Sequence, residues 1–316
     1  MVNKMIIRLG YVAISKALDI TSSGTITYTN YLKEENKDEK LDKIIKLNLQ
    51  NLEKILNYNV KNNIHFYRLT SKLIPLATHK DIFFEYINKY KDYYNKISQI
   101  INKNNMRVDV HPDQFCVLNS TNKETINNSI EILKYHINIL EALKIKNPVI
   151  VLHTGSSVFG KEKSITRFVN NFNKLPDNIK NSIVIENDDK IYNARDVLSL
   201  CKKINRPMVL DYHHHICNPC DNIDDILEEI FDTWKDIGPK VHFSSPKNKT
   251  KRDFRSHHDY INSDDFIQFI EKIKKYNVDI DIMIEAKAKD DALFRLVREL
   301  KYKTNYKFID ETSFEV

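Results

Sequence analysis

The residues that could do chemistry stand at the ends of short apolar runs. Pro207-Met208-Val209-Leu210 leads straight into Asp211-Tyr212-His213-His214-His215. An apolar run of this length, bounded by polar residues, reads as a strand buried on both faces. Asp211 then falls at the rim of a sheet, and Asp and His together suit a borderline divalent cation. The pattern recurs. His111 follows Arg107–Val110, His153 follows Val149–Leu152, Glu186 follows Ile183–Ile185, and Glu285 follows Ile280–Ile284. Lys240 and His242 lie in Lys240–Phe243, and His257-His258-Asp259 lies in the loop beyond it.

One such His is more often a hydrogen-bonded structural residue than a ligand. Gathered at one mouth, however, the carboxylates of Glu186, Asp211 and Glu285 would repel strongly in a cleft of low dielectric. Bound cations resolve that conflict. Five imidazoles (His111, His153, His214, His242 and His257) and three carboxylates suit more than one ion, with Glu186 able to bridge two. Neighbouring ions of this kind clamp the attacking and leaving oxygens of phosphodiester hydrolysis.

Two further features point to a nucleic acid. Lys247, Lys249, Lys251, Arg252 and Arg255 crowd the 244–260 loop, where Asp253 offers little opposition. Beside a metal centre such a loop reads as a phosphate-binding rim, although a solvated charged loop is the plainer reading of it alone. Gln114-Phe115 directly follows the His111 segment, and an amide-plus-aromatic pair can wedge into a base stack. Packing of Phe115 under its loop is the alternative.

These residues need a scaffold that brings distant strand ends together. Eight strands are predicted: Ile6–Val12, Ile64–Leu69, Arg107–Val110, Val149–Leu152, Ile183–Ile185, Met208–Leu210, Lys240–Phe243 and Ile280–Ile284. Between them apolar residues keep a helical period. Leu41, Ile44, Ile45, Leu52, Ile55 and Leu56 mark one helix. Phe83, Tyr86, Ile87, Tyr90, Tyr94 and Ile97 mark another, and further helices are expected over about 124–144, 162–174, 193–203, 222–235, 263–275 and 289–301. Segment 17–40 is polar and reads as a long first loop. Alternation of this kind predicts an α/β fold, a TIM-type (β/α)8 barrel in a single domain spanning 1–316, with the site at the carboxyl ends of its strands. An open doubly wound sheet is disfavoured, because no glycine-rich turn follows the first strand.

Composition agrees. The 316 residues are 41% hydrophobic, enough for a sizeable core, and the net charge of +6 mildly favours a polyanionic partner. No secretory signal and no membrane-spanning run are expected, so the reading is a cytoplasmic chain with no membrane partner. Its four Cys (Cys116, Cys201, Cys217 and Cys220) are expected as thiols. The single Cys217-Asn-Pro-Cys220 lacks the second pair that a structural zinc site needs.

The strand-end motifs, taken with their neighbours, resemble the ultraviolet damage endonuclease family. The resemblance is carried by Arg8-Leu9-Gly10-Tyr11, Tyr67-Arg68-Leu69-Thr70-Ser71 and Ile74-Pro75-Leu76-Ala77-Thr78-His79. It continues through His111-Pro112-Asp113-Gln114-Phe115, Val117-Leu118-Asn119-Ser120 and Val151-Leu152-His153-Thr154-Gly155. Ile185-Glu186-Asn187-Asp188-Asp189, Asp211-Tyr212-His213-His214-His215, His242-Phe243-Ser244-Ser245 and Met283-Ile284-Glu285-Ala286-Lys287 complete it, in order over nearly the whole chain.

The resemblance implies a metal-dependent endonuclease that nicks damaged double-stranded DNA immediately 5′ to cyclobutane dimers and (6-4) photoproducts, leaving a 3′-hydroxyl and a 5′-phosphate. It implies His111, His153, Glu186, Asp211, His214, His242, His257 and Glu285 as ligands of two or three divalent ions, Mn2+ first, with Zn2+, Co2+ and Mg2+ open. Lys240, a lysine that can be carboxylated, would join Glu186 and Glu285 in catalysis. Gln114 and Phe115 would probe the duplex. Phe115 stands where the family usually has Tyr, and Ser15 where some members have Asn. Tyr11 and His79 would face the lesion, while Lys247, Arg252 and Arg255 would contact the backbone. A monomer is expected. The rival readings are an abasic-site endonuclease, a two-metal sugar isomerase and a non-catalytic damage-binding protein.

Overall fold

Short apolar strands alternate with amphipathic helices, and the strands close on themselves. The computed structural model describes residues 4–250 and 252–316, so Lys251 lies outside the described residues. β1 (Ile6–Val12) is followed by a small antiparallel hairpin, β2 (Ile14–Ser15) and β3 (Ile20–Thr21). Then come β4 (Phe66–Leu69), β5 (Arg107–Val110), β6 (Ile150–His153), β7 (Ile183–Glu186), β8 (Met208–Asp211), β9 (Lys240–Phe243) and β10 (Ile280–Ile284). β1 and β4 to β10 pair in parallel in chain order. β10 returns to β1, with Ile7 opposite Ile280, and closes an eight-stranded barrel. Every barrel strand expected from sequence is present, with ends shifted by at most one or two residues.

The helices are α1 (Tyr28–Lys33), α2 (Lys37–Lys61), α3 (Tyr86–Lys89), α4 (Lys91–Lys103), α5 (Lys123–Ala142), α6 (Lys161–Phe172), α7 (Asp177–Ser182), α8 (Ala194–Ile204), α9 (Tyr212–Cys217), α10 (Leu227–Asp232), α11 (Ser263–Ile273) and α12 (Lys289–Lys303). Segment 17–40 is not one loop, since it holds β3, α1 and the first turn of α2. That turn, Lys37-Asp38-Glu39-Lys40, is wholly polar, so hydrophobic periodicity is silent there; its acidic residues suit a helix N-terminus. Phe83 matches a helical period by chance. It precedes α3 and is 90% exposed. The 222–235 segment is split into a 3₁₀ turn over Ile223–Asp225 and the short α10. A C-terminal hairpin, β11 (Lys307–Phe308) and β12 (Ser313–Glu315), was not expected. β12 runs antiparallel to the first half of β1, opposite the edge that β10 occupies and along the stretch that β4, pairing only with Gly10–Val12, leaves free.

Each barrel strand carries two sets of side chains. One set faces the helices: Ile7, Leu9 and Tyr11 of β1, Tyr67 and Leu69 of β4, Leu152, Ile185, Leu210, Phe243 and Ile284 all join the main apolar core. The other set lines the barrel interior and is largely charged. At the bottom, Arg8 and Arg107 both bind Asp281, at 2.6 and 2.7 Å. Beside them Trp234 packs with Val149, Val151, Val184 and Val209 as a separate apolar plug. The Arg107 guanidinium lies over the Trp234 ring at 5.2 Å. In the middle, Lys240 Nζ donates to Asp109 at 2.5 Å. β1 comes so close to β4 that a Cβ on Gly10 would stand 2.3 Å from the Phe66 carbonyl oxygen, so only glycine fits. Among the described residues no helix is long and apolar enough to cross a membrane, and the four Cys are free.

Candidate active site

The top layer of the interior set is the site. Alternation along each strand puts His111, His153, Glu186, Asp211, His242 and Glu285 on the interior side at the carboxyl ends of β5 to β10. Glu186 is the hub. His111 Nε2 lies 3.0 Å from Glu186 Oε2, with His153 Nε2 at 3.9 Å from the same oxygen. His242 Nδ1 lies 3.0 Å from Glu186 Oε1 and 3.3 Å from Glu285 Oε1. His214 arrives on α9, whose N-cap is Asp211; the Asp211 side chain accepts the His214 N–H at 2.7 Å. His257 Nδ1 stands 3.9 Å from Glu285 Oε2. Two ligand groups result, His111–His153–Glu186 and Glu186–Asp211–His242, sharing Glu186.

Outer contacts fix which atoms face the centre. His111 Nδ1 bonds to the Pro112 carbonyl at 2.9 Å, which leaves its Nε2 to face Glu186, whereas His214 turns its Nδ1 both to the Asn187 carbonyl at 2.9 Å and to Glu186 Oε1 at 3.4 Å. Asn187 is itself locked by reciprocal bonds with the Asp211 backbone, at 2.9 and 3.0 Å. Arg68 touches both sides of the layer. It donates to Glu285 at 2.5 Å and to Asp109 at 3.3 Å, and its Nη2 stands 2.5 Å from His242 Nε2.

Burial alone would raise Glu186, but the imidazoles of His242 and His153 and hydrogen bonds from His111 and His214 hold it well below the usual carboxylate range. Burial pushes Asp211 up to about 8, against the pull of His214. Burial also pushes His242 down to about 4, despite the Glu186 charge. Asp211 Oδ2 and His242 Nδ1 are buried and have no hydrogen-bond partner. An unsatisfied buried polar atom costs about 1–3 kcal/mol. A carboxylate oxygen and an imidazole nitrogen, both facing Glu186, make the donor set a divalent cation takes, so the residues fit the metal that the sequence implies.

The comparisons with known proteins agree. Residues 7–314 match the family model described as UV-endonuclease UvdE. The chain belongs to this family. A UV DNA damage endonuclease of Bacillus cereus (strain B4264) is 41% identical over 94% of this chain and 95% of its own. The crystal structure of SacUVDE superposes with a TM-score of 0.85 at 34% identity, covering 94% of this chain and 98% of that one. Endonuclease IV from Thermus thermophilus, at 10% identity and a TM-score of 0.54, covers 94% and 100% and shares the fold. The UvdE family is one of DNA endonucleases, hydrolases of phosphodiester bonds.

All eight ligands expected from sequence in this UvdE chain converge. Of the three candidates in the 257–259 run, His257 faces Glu285, whereas His258 is exposed and its Nδ1 accepts the Tyr260 N–H, and Asp259 is exposed. Gln114 and Phe115 project into solvent, with Phe115 68% exposed, so Phe115 is not packed beneath its loop. The basic loop is pinched shut by a bridge between Pro246 and His257. Beyond the pinch Lys247 lies 3.6 Å from Asp253, Arg255 lies 3.6 Å from Asp189, and Arg252 is exposed.

The structure buries Tyr11, expected at the lesion. Its position on β1 points it to the helices, where it is fully buried and donates to Asn59 of α2 at 2.8 Å. Ser15 is buried as well, donating to Asp290 at 2.7 Å. His79 stacks on Tyr28, with ring centroids 3.9 Å apart, and makes no ion pair with the metal-site carboxylates. Lys240 sits one layer below the ligands, on Asp109. Sequence reasoning missed Arg68, Asp109 and Asn187. The signal was the strict alternation of Arg107-Val108-Asp109-Val110-His111, in which the polar set lines a barrel interior rather than solvent.

Proposed function

We propose that this protein is a metal-dependent repair endonuclease that nicks double-stranded DNA immediately 5′ to UV photoproducts, leaving a 3′-hydroxyl and a 5′-phosphate, and that it acts as a monomer. The observation that carries the reading is the sharing of Glu186 between two groups of buried imidazole and carboxylate ligands. Two or three bound divalent ions, Mn2+ preferred, would supply an activated water and stabilise the negative charge that develops on the oxygens of the phosphate under attack.

The chain's own residues account for the remainder. Lys247, Arg252 and Arg255 hold phosphates on the rim. Photoproduct bases are already weakly stacked, so their extrusion costs less than that of intact bases, which provides selectivity. Gln114 and Phe115 fill the space left in the stack. Arg68 holds Glu285 and His242 in the ligand layer. Burial lowers Lys240 to about 8, despite the Asp109 charge, so its free amine, the form that takes up carbon dioxide, is accessible near neutral pH.

The test is incubation of the purified protein and Mn2+ with an irradiated, end-labelled duplex, followed by mapping of the nick and sealing of the product with ligase. A nick directly 5′ to the dimer with ligatable ends is expected. A nick only at abasic sites, or lesion binding without a nick, would overturn the reading.

A further inference from the structure

Two adjacent loops at the mouth share one design. β5 ends at the metal-site His111, and four residues later Phe115 is 68% exposed. β6 ends at the metal-site His153, and six residues later Phe159 is 73% exposed, beside the exposed Val158. The rings of His111 and His153 lie 5.1 Å apart. The two loops are also tied together. Asn119 donates to the Ser156 carbonyl at 2.6 Å and accepts the Ser156 N–H at 2.9 Å. Arg167 bonds to the carbonyls of both Asn119 and Val158. Phe159 is therefore held at the same mouth as Phe115 and braced against the same segment.

The position is unfavourable for Phe on two counts. Its ring is in water, and its φ of +66° lies in a region that bulky residues rarely adopt. Among the described residues Phe159 joins neither apolar cluster. Lys163, four residues on, is exposed and makes no ion pair among the described residues. Phe83 offers the contrast. It is 90% exposed in the loop after β4, but it lines a groove with Asp38, Asp42, Asp81 and Lys89, where carboxylates outnumber cations.

We infer that Phe159 is a second aromatic contact with the damaged duplex, stacking on a base beside the gap that Gln114 and Phe115 fill. The inference rests on the proposed function and adds a residue to it. An aromatic face stacks on any base, so Phe159 adds affinity where a lesion has loosened the stack, whatever the sequence around it.

The experiment measures binding and nicking of a duplex carrying one cyclobutane dimer, with F159A, F159Y, F159L and F83A beside the wild type. Photoproduct nicking by the wild type establishes the underlying reading; only then do the variants speak to Phe159. F159A is expected to bind the lesion about ten-fold more weakly. The slope of log affinity against log salt should not change, because no phosphate contact is lost. F159Y restores binding, F159L does not, and F83A matches the wild type. The melting temperature of F159A stays at the wild-type value, since the ring is not buried. Wild-type affinity in F159A, full rescue by F159L, or an equal loss in F83A would each overturn the inference.

Discussion

The two ends of the barrel interior hold similar residues under opposite conditions. At the bottom, Arg8 and Arg107 share Asp281, and Trp234 lies against Arg107. Each charge there has a counter-charge supplied by the chain. At the top, Glu186, Asp211 and Glu285 meet five imidazoles, and Asp211 Oδ2 and His242 Nδ1 are left without hydrogen bonds. Burial of charge is thus not what marks a functional site in this fold. Unpaired atoms alone do not mark it either, since Arg107 Nη2 at the bottom also lacks a hydrogen bond; what sets the top apart is that its carboxylates converge with imidazoles on the shared Glu186.

Mutations that break this contrast should separate activity from stability. The largest effect expected is on chemistry. E186Q should lose roughly a thousand-fold or more in nicking rate, because both ligand groups lose their shared oxygens, while lesion binding in a gel-shift assay stays largely intact. Normal nicking by E186Q would remove Glu186 from its bridging place.

Removal of the ions should act on the top alone. Chelation should abolish nicking, and Mn2+ should restore it. Excess Mn2+ should raise the melting temperature, since a ligand at about a hundred times its dissociation constant adds about 2.7 kcal/mol. A melting curve indifferent to Mn2+ would place the completed set of partners in the protein itself.

The reverse experiment targets the bottom. D281A strands two arginines and should destabilise by about 3–5 kcal/mol in a denaturant titration. In the milder D281N, the number of Mn2+ ions bound, read by calorimetry, should match the wild type. A lost ion would mean that the two layers are coupled.

The smallest effects lie around the ligands and on the rim. R68M should weaken Mn2+ affinity or slow nicking by about 10–100-fold, the usual cost of removing a group that orients ligands. Replacing Gln114 and Phe115 together by Ala should reduce the preference for damaged over intact duplex about ten-fold, with unchanged preference returning both residues to a passive role.

Much of this organisation was readable from the sequence. The helix-facing residues of each strand are apolar almost throughout, so the eight strands stood out, and the ligands followed because they sit where those runs stop. What stayed hidden was the direction in which strand residues point. Tyr11 lies in a motif that suggests a ligand contact, yet one position along a strand decides between the helix shell and the interior, and periodicity cannot be phased on a segment apolar at nearly every position. Arg68 and Asp109 escaped for the converse reason, since a charged residue inside a short strand reads as an exposed face until the strands are seen to close. The polar first turn of α2 and the two-residue β11 carry too little apolar pattern to be seen at all.

The Trp234 plug has a kinetic consequence. With indole and guanidinium packed into the floor, the ligand layer opens toward the rim, where the imidazoles of His111, His153, His214 and His257 are only partly buried. A duplex seated across that opening would slow the exchange of ions, favouring their loading and loss between catalytic cycles rather than within one.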